Sequence, residues 1–224
     1  MNDENRPNQL SMEQIKESAR KLVRAGQDVR AQLHELTVRA LTQRQLAEQE
    51  IKQVLGAITE GVSLGTTERA EEVRAAMGDA LNGIDDALTN AAEAMQLALG
   101  EASSHAKDFA EQDLKQGLEE LKKLEQMFLE TVSRVSESAS GLVKQEFSAL
   151  TEHARRTGTS TGGRVKAVTE DLTNRLRATA QVAGDAGKRA AHEVGARVAT
   201  MASSKLADIA AKLRQKAEAL KQNK

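Results

Sequence analysis

The chain has 224 residues, a formal net charge of −1 and 29% charged residues, yet no Trp, Tyr or Cys, one Pro and only three Phe (Phe109, Phe128 and Phe147). A compact enzyme core draws much of its buried area from aromatic rings, so this composition disfavours an enzyme-like globule. The lack of cysteine excludes disulfides and thiolate metal or redox sites.

What remains, rich in Ala, Glu, Leu, Lys, Arg and Gln, is the composition of long helices or coiled coils. The expected fold is all-α: an elongated helical bundle or coiled coil of about four long helices, with no β-sheet. Residues 1–10 are polar, carry no apolar signal core and are expected to be disordered. No run approaches 18 consecutive apolar residues, so no transmembrane segment is expected. The expected location is cytoplasmic, free or against granules or the inner membrane surface.

Residues 11–156 read as three bundled helices at about 11–62, 67–99 and 104–156. Ser11-Met12-Glu13-Gln14 is a capping box that opens the first: the serine oxygen accepts from an early amide and the Gln side chain reaches back. Ile15, Leu22, Val29 and Leu36 then repeat every seven residues, and Ile51, Leu55, Ile58 and Val62 resume the stripe at spacings of 4, 3 and 4. Gly61 and Gly65 mark its end. Thr66 or Thr67 caps the second helix, with Glu68, Glu71 and Glu72 at its positive end. That helix carries a seam of mostly small residues (Val73, Met77, Ala80, Ile84, Ala87, Ala91, Ala94 and Ala98) that admits a partner at close range. After a break at Gly100 and Ser103-Ser104, the third helix has an unbroken seven-residue series: Leu114, Leu121, Phe128, Val135, Leu142 and Ala149. Sustained heptads form a coiled-coil or bundle seam, and Leu114, Leu121, Phe128, Val135 and Leu142 are its expected packing residues.

Residues 157–163, Thr-Gly-Thr-Ser-Thr-Gly-Gly, read as a flexible linker. Beyond it, residues 164–224 read as a basic, Ala-rich amphipathic helix that can detach. Val165, Leu176, Gly187, Val198, Ile209 and Leu220 recur every eleven residues, and Leu172, Ala183 and Val194 keep the same step. Eleven residues make three turns, so the stripe stays nearly straight. Its apolar face is thin, with 15 Ala against 12 Val, Ile, Leu and Met in residues 164–222. Such a helix needs a partner or a surface. Charge is unevenly spread: 9 basic against 9 acidic residues in 1–60, 8 against 18 in 61–152, and 15 against 6 in 153–224. Either the acidic and basic parts pair with each other, or they serve different partners.

Patterns that carry chemistry are missing. His34, His105, His153 and His192 lie on different segments, and none belongs to a metal-ligand motif. Asp85-Asp86 and Glu119-Glu120 are adjacent pairs whose members point to different faces, which reads as solvated charge. Residues 158–163 lack the Gly-Lys-Ser/Thr ending and the preceding strand of a phosphate loop. No catalytic residue, cofactor or metal site is expected, and the chain reads as a non-enzyme.

The heptad-rich third segment, the Gly/Thr/Ser linker and the Ala-rich tail from Ala178 to Ala219 resemble bacterial phasins, helical proteins that coat intracellular polyhydroxyalkanoate granules. The stretch from Gly61-Val62-Ser63-Leu64-Gly65 to Phe128-Leu129-Glu130-Thr131 is similar to an uncharacterised proteobacterial helical family. The phasin resemblance implies a hydrophobic granule or anionic lipid surface as the ligand.

Read from the residues alone, an eleven-residue amphipathic helix suits an apolar–water boundary, with Lys and Arg stems along its rim. The expected surface contacts are Val165, Leu172, Leu176, Val194, Val198 and Ile209, rimmed by Arg164, Arg175, Lys188 and Arg189. The competing expectation is a homo-oligomeric coiled-coil scaffold for protein partners. Nucleic-acid binding by the basic tail is less favoured, because phosphate attraction comes without aromatic residues for base stacking. A stress-protectant helix ranks alongside it.

Overall fold

Helix ends in this chain follow from local chemistry, and there are more of them than the apolar stripes indicate. The computed structural model describes residues 9–69, 72–104, 111–180, 200–211 and 215, with side chains at 103–104, 111–116 and 175–180 outside the description. The described elements are all helical: α1 (Met12–Ala25), α2 (Val29–Thr42), α3 (Glu48–Thr67), α4 (Val73–Ser104), α5 (Glu111–Lys122), α6 (Leu124–Ser138), α7 (Gly141–Thr157) and α8 (Ser160–Ala180). Residues 200–211 add a further helical stretch, and no strand occurs among the described residues.

The capping box at Ser11 is present as expected, with Ser11 Oγ accepting from the Gln14 amide at 3.2 Å and Gln14 Oε1 accepting from the Ser11 amide at 2.8 Å. The expected 11–62 helix is instead three. Gly26 ends α1 in the left-handed region (φ 70), where its amide donates to the Leu22 carbonyl, and Asp28 follows with φ 44. A second interruption at residues 43–47 separates α2 from α3. Thr66 and Thr67 do not cap a new helix. They lie in the last turn of α3, and their hydroxyls donate back to the Val62 and Ser63 carbonyls. The expected 104–156 helix is also divided, at Lys123 and at Ala139-Ser140, with Gly141 at φ 57. Leu10, at the edge of the N-terminal stretch expected to be disordered, is tied down: its amide donates to Gln43 Oε1 at 3.0 Å, and its carbonyl accepts from the buried Arg44 guanidinium. Residues 1–8 lie outside the described residues.

Gly61 and Gly65 sit inside α3 rather than closing it, and they govern how α1 packs. A Cβ on Gly61 would lie 2.7 Å from the Ala19 Cβ and within the contact radius of the Lys16 carbonyl oxygen. On Gly65 it would lie 2.9 Å from the Val23 Cβ. Matching Lys16 with Gly61 and Arg20 with Gly65 shows that α1 and α3 run in the same direction. Gly83 admits α2 to α4 in the same way, since a Cβ there would press on the Arg30 backbone.

At the centre lies α4, which packs against each of the other seven helices. Its Ala76, Ala80, Ala87, Ala91, Ala92, Ala94, Ala98 and Ala102 are all buried. A single apolar cluster extends from Ile15 of α1 through α4 to Leu172 of α8 and Leu206 of the last stretch.

The expected seam divides along its length. Leu121, Phe128 and Val135 are buried in this chain's own core. Leu142 is 50% exposed, because the turn before Gly141 breaks the helical phase that the heptad assumes. The Leu114 side chain lies outside the description.

Close helix approach gives a pair of predictions of opposite sign. Gly61→Ala forces α1 from α3 and should destabilise by about 1–2 kcal/mol, even after the helix-propensity gain of alanine. Gly78→Ala, inside α4 with nothing within 4 Å of the new Cβ, should stabilise by about 1 kcal/mol. Urea unfolding midpoints check both. The Thr59 hydroxyl is fully buried and has no hydrogen-bond partner among the described residues. Thr59→Val should therefore raise stability by about 1 kcal/mol in the same assay.

Candidate functional site

The residues expected to form a linker are a docking joint. Gly158, at φ 81, ends α7, and Thr159 caps α8 by accepting from the Gly162 amide at 2.9 Å. Thr159 Oγ1 donates to Glu125 of α6 at 2.8 Å, and the Thr159 amide donates to the same carboxylate at 3.1 Å. Asp85 of α4, 9% exposed, takes the next two amides: Ser160 at 2.8 Å and Thr161 at 3.0 Å. The Thr161 hydroxyl donates to the Asp85 main-chain carbonyl at 3.0 Å. Amides in the first turn of a helix have no internal partner and form its positive end, so two carboxylates from other helices complete this one. A Cβ on Gly162 would overlap the Glu125 carboxylate, so a larger residue there would displace that side chain from Thr159.

Further along, Arg164 pairs with Glu93 at 2.9 Å and reaches Gln96 at 3.2 Å, and Gln96 donates to Asp171 at 3.3 Å. These contacts set α8 parallel to α4. Between them Val165, Val168 and Leu172 are buried in the common core.

Where it is described, the C-terminal part is docked on the bundle rather than detached. Val165 and Leu172 face inward, Arg164 is ion-paired, and Ile209 is partly buried against the core. Leu176, Val194, Val198, Arg175, Lys188 and Arg189 lie outside the described side chains. The reason is that the bundle itself offers the apolar partner that a thin stripe needs. Residues 200–211 dock as well: Ala202 and Leu206 are fully buried, the Ser203 hydroxyl lies against the Thr42 and Arg44 carbonyls, and Lys205 pairs with Glu101 at 2.8 Å. Of the two expectations for the uneven charge, internal pairing is the one seen, through Arg164–Glu93 and Lys205–Glu101.

Asp85 and Glu125 are the parts of this joint that no sequence pattern singles out. Val168 keeps the eleven-residue step of the C-terminal stripe, whereas Asp85, beside Asp86, reads from sequence as solvated charge.

An open cleft of about 730 Å³ lies between α2, α4 and the start of α8. Asp28, Asp79, Asp86, Arg30, His34 and Asn90 are among its lining residues. Arg30 grips Asp86 with two hydrogen bonds, 2.7 and 3.0 Å. The Asn90 amide and His34 Nε2 are 2.8 Å apart. With Asn90 donating, the imidazole is neutral and its accepting lone pair is occupied. Burial lowers the His34 pKa below its ordinary 6.5, and Arg30 adds to this, while Asp86 and Glu35 oppose it. Among the described residues, no three His, Cys, Asp or Glu side chains converge as metal ligands, and no helix is long and apolar enough to cross a membrane.

The model of a family of unknown function, DUF6781, matches residues 5–215, and the chain belongs to that family. No curated protein and no solved structure matches it.

The pH dependence of stability should report on His34. Its folded pKa is below the unfolded 6.5, so between those values the unfolded chain binds more protons and stability rises with pH. The contribution is fully present above about pH 6.5 and is lost as pH falls through the folded value. His34→Gln should accordingly show a smaller drop in urea midpoint between about pH 7.5 and pH 5 than the natural chain.

Proposed function

We propose that this chain coats an apolar–water boundary, of a hydrophobic granule or a lipid surface, with amphipathic helices that its bundle otherwise stores. One observation carries this reading: α8 presents a narrow apolar face, Val165, Val168 and Leu172, flanked by charged residues and docked on the rest of the bundle. Fully burying each such side chain contributes roughly 1.5–3 kcal/mol. An apolar surface supplies the same contribution to α8 when it leaves the bundle, which offsets part of the cost of uncovering the face it leaves. Arg164 and Lys166 then lie at the rim, where their stems reach the headgroup or water layer. When α8 leaves, α4 keeps its contacts with α2. The likeness of the heptad segment and Ala-rich tail to phasins supports the same reading.

Cosedimentation of the full chain with amorphous polyhydroxybutyrate particles, and separately with vesicles of phosphatidylcholine and phosphatidylglycerol, is the test. The natural chain should bind at least one of them. Val168→Asp with Leu172→Asp should weaken binding by ten-fold or more, because a charge then sits in the inserted face. Failure of the natural chain to bind either surface, or unchanged binding by the double variant, would overturn the reading.

A further inference from the structure

We infer that Asp85 and Glu125 form a latch that holds α8 closed, and that its release is the step that frees the apolar face for a surface. This regulation rests on the surface-coating reading proposed above. Two carboxylates from separate helices, α4 and α6, converge on one helix start and accept four hydrogen bonds from it: two from Thr159, one from Ser160 and one from Thr161.

The first turn they hold is Ser160-Thr161-Gly162-Gly163. Two consecutive glycines make it a poor helix former, so its order depends on those acceptors. Hydrogen bonds to an ionised acceptor are roughly twice as strong as neutral ones, and Asp85 is almost fully enclosed. Release of these amides uncaps α8 at the point where the chain already turns at Gly158. The joint is thus both the weakest part of α8 by intrinsic propensity and the part most strongly held from outside. Further along, the contact with α4 includes the ion pair Arg164–Glu93, at 2.9 Å and partly solvated, which is a weak hold. Opening therefore proceeds from the joint and exposes Val165, Val168 and Leu172 in order.

Asp85→Ala with Glu125→Ala in the full chain tests the latch by two independent measurements. Hydrogen–deuterium exchange of peptides covering 160–172 should quicken ten-fold or more, with peptides from α1 (12–25) unchanged. Binding to the polyhydroxybutyrate particles and vesicles should tighten several-fold. The chain has no native cysteine, so Gln96→Cys with Asp171→Cys can be joined by a short bis-maleimide to hold α8 against α4. That crosslink should cancel the gain in binding. If the alanine pair melts early, Asp85→Asn with Glu125→Gln keeps the side-chain volumes and serves in its place. Unchanged exchange at 160–172 would overturn the latch. Faster exchange with unaltered binding, in a protein whose natural form binds, would overturn the gating. Faster exchange with no binding by any variant would uphold the latch and overturn the surface reading alone.

Discussion

The small side chains of α4 are the constraint on which the rest of the structure depends. One helix can touch seven others only where its radius is small on several sides, and alanine at Ala76, Ala80, Ala87, Ala91, Ala94 and Ala98, with Gly83, provides that. At 32 residues it is about 48 Å long, enough to carry α2 along one face and α8 along another. Close packing of this kind tolerates little added volume. Glycines at Gly61 and Gly65 do for the α1–α3 contact what the alanines do for α4. Few aromatic rings are needed, because backbone proximity replaces side-chain bulk.

A core built from small residues gains less from each contact, and this makes the polar joints matter. The C-terminal part of the chain is held by a narrow apolar stripe and by specific acceptors: Asp85 and Glu125 at the start of α8, and the Thr42 and Arg44 carbonyls near Ser203. Exposed ion pairs such as Lys205–Glu101 add little at ordinary salt, though they orient the basic segment on the acidic one. The storage and release proposed for α8 ask for this balance, in which apolar burial is transferable to another surface and the hold is local and polar.

Much of the fold was legible in the residues. The capping box at Ser11, the alanine seam of α4 and the inward positions of Leu121, Phe128 and Val135 are periodic or local signals, and each stands in the structure. The length of the helices was not legible. A seven-residue stripe continues in sequence through Gly26 and through Ala139-Ser140, although the chain turns there, because a hydrophobic period records which residues are buried and not whether they share one axis. Leu142 shows the consequence: it keeps the heptad spacing and is exposed. Gly61 and Gly65 show the converse, since glycine as a helix stop and glycine as a helix contact look alike until the partner is known.

The candidate site divides along the same line. By itself the sequence determined the helical class, the amphipathic and basic character of the C-terminal part, and the phase that unites Val165, Val168 and Leu172. All of these depend on neighbours within a few turns. Only the tertiary structure decided that this face is turned inward, that residues 157–163 are a capped joint and not a linker, and that Asp85 and Glu125 are its acceptors. Asp85 and Ser160 are 75 residues apart in the chain. No local pattern can encode which distant carboxylate completes a helix end, because that choice is made by how the helices pack.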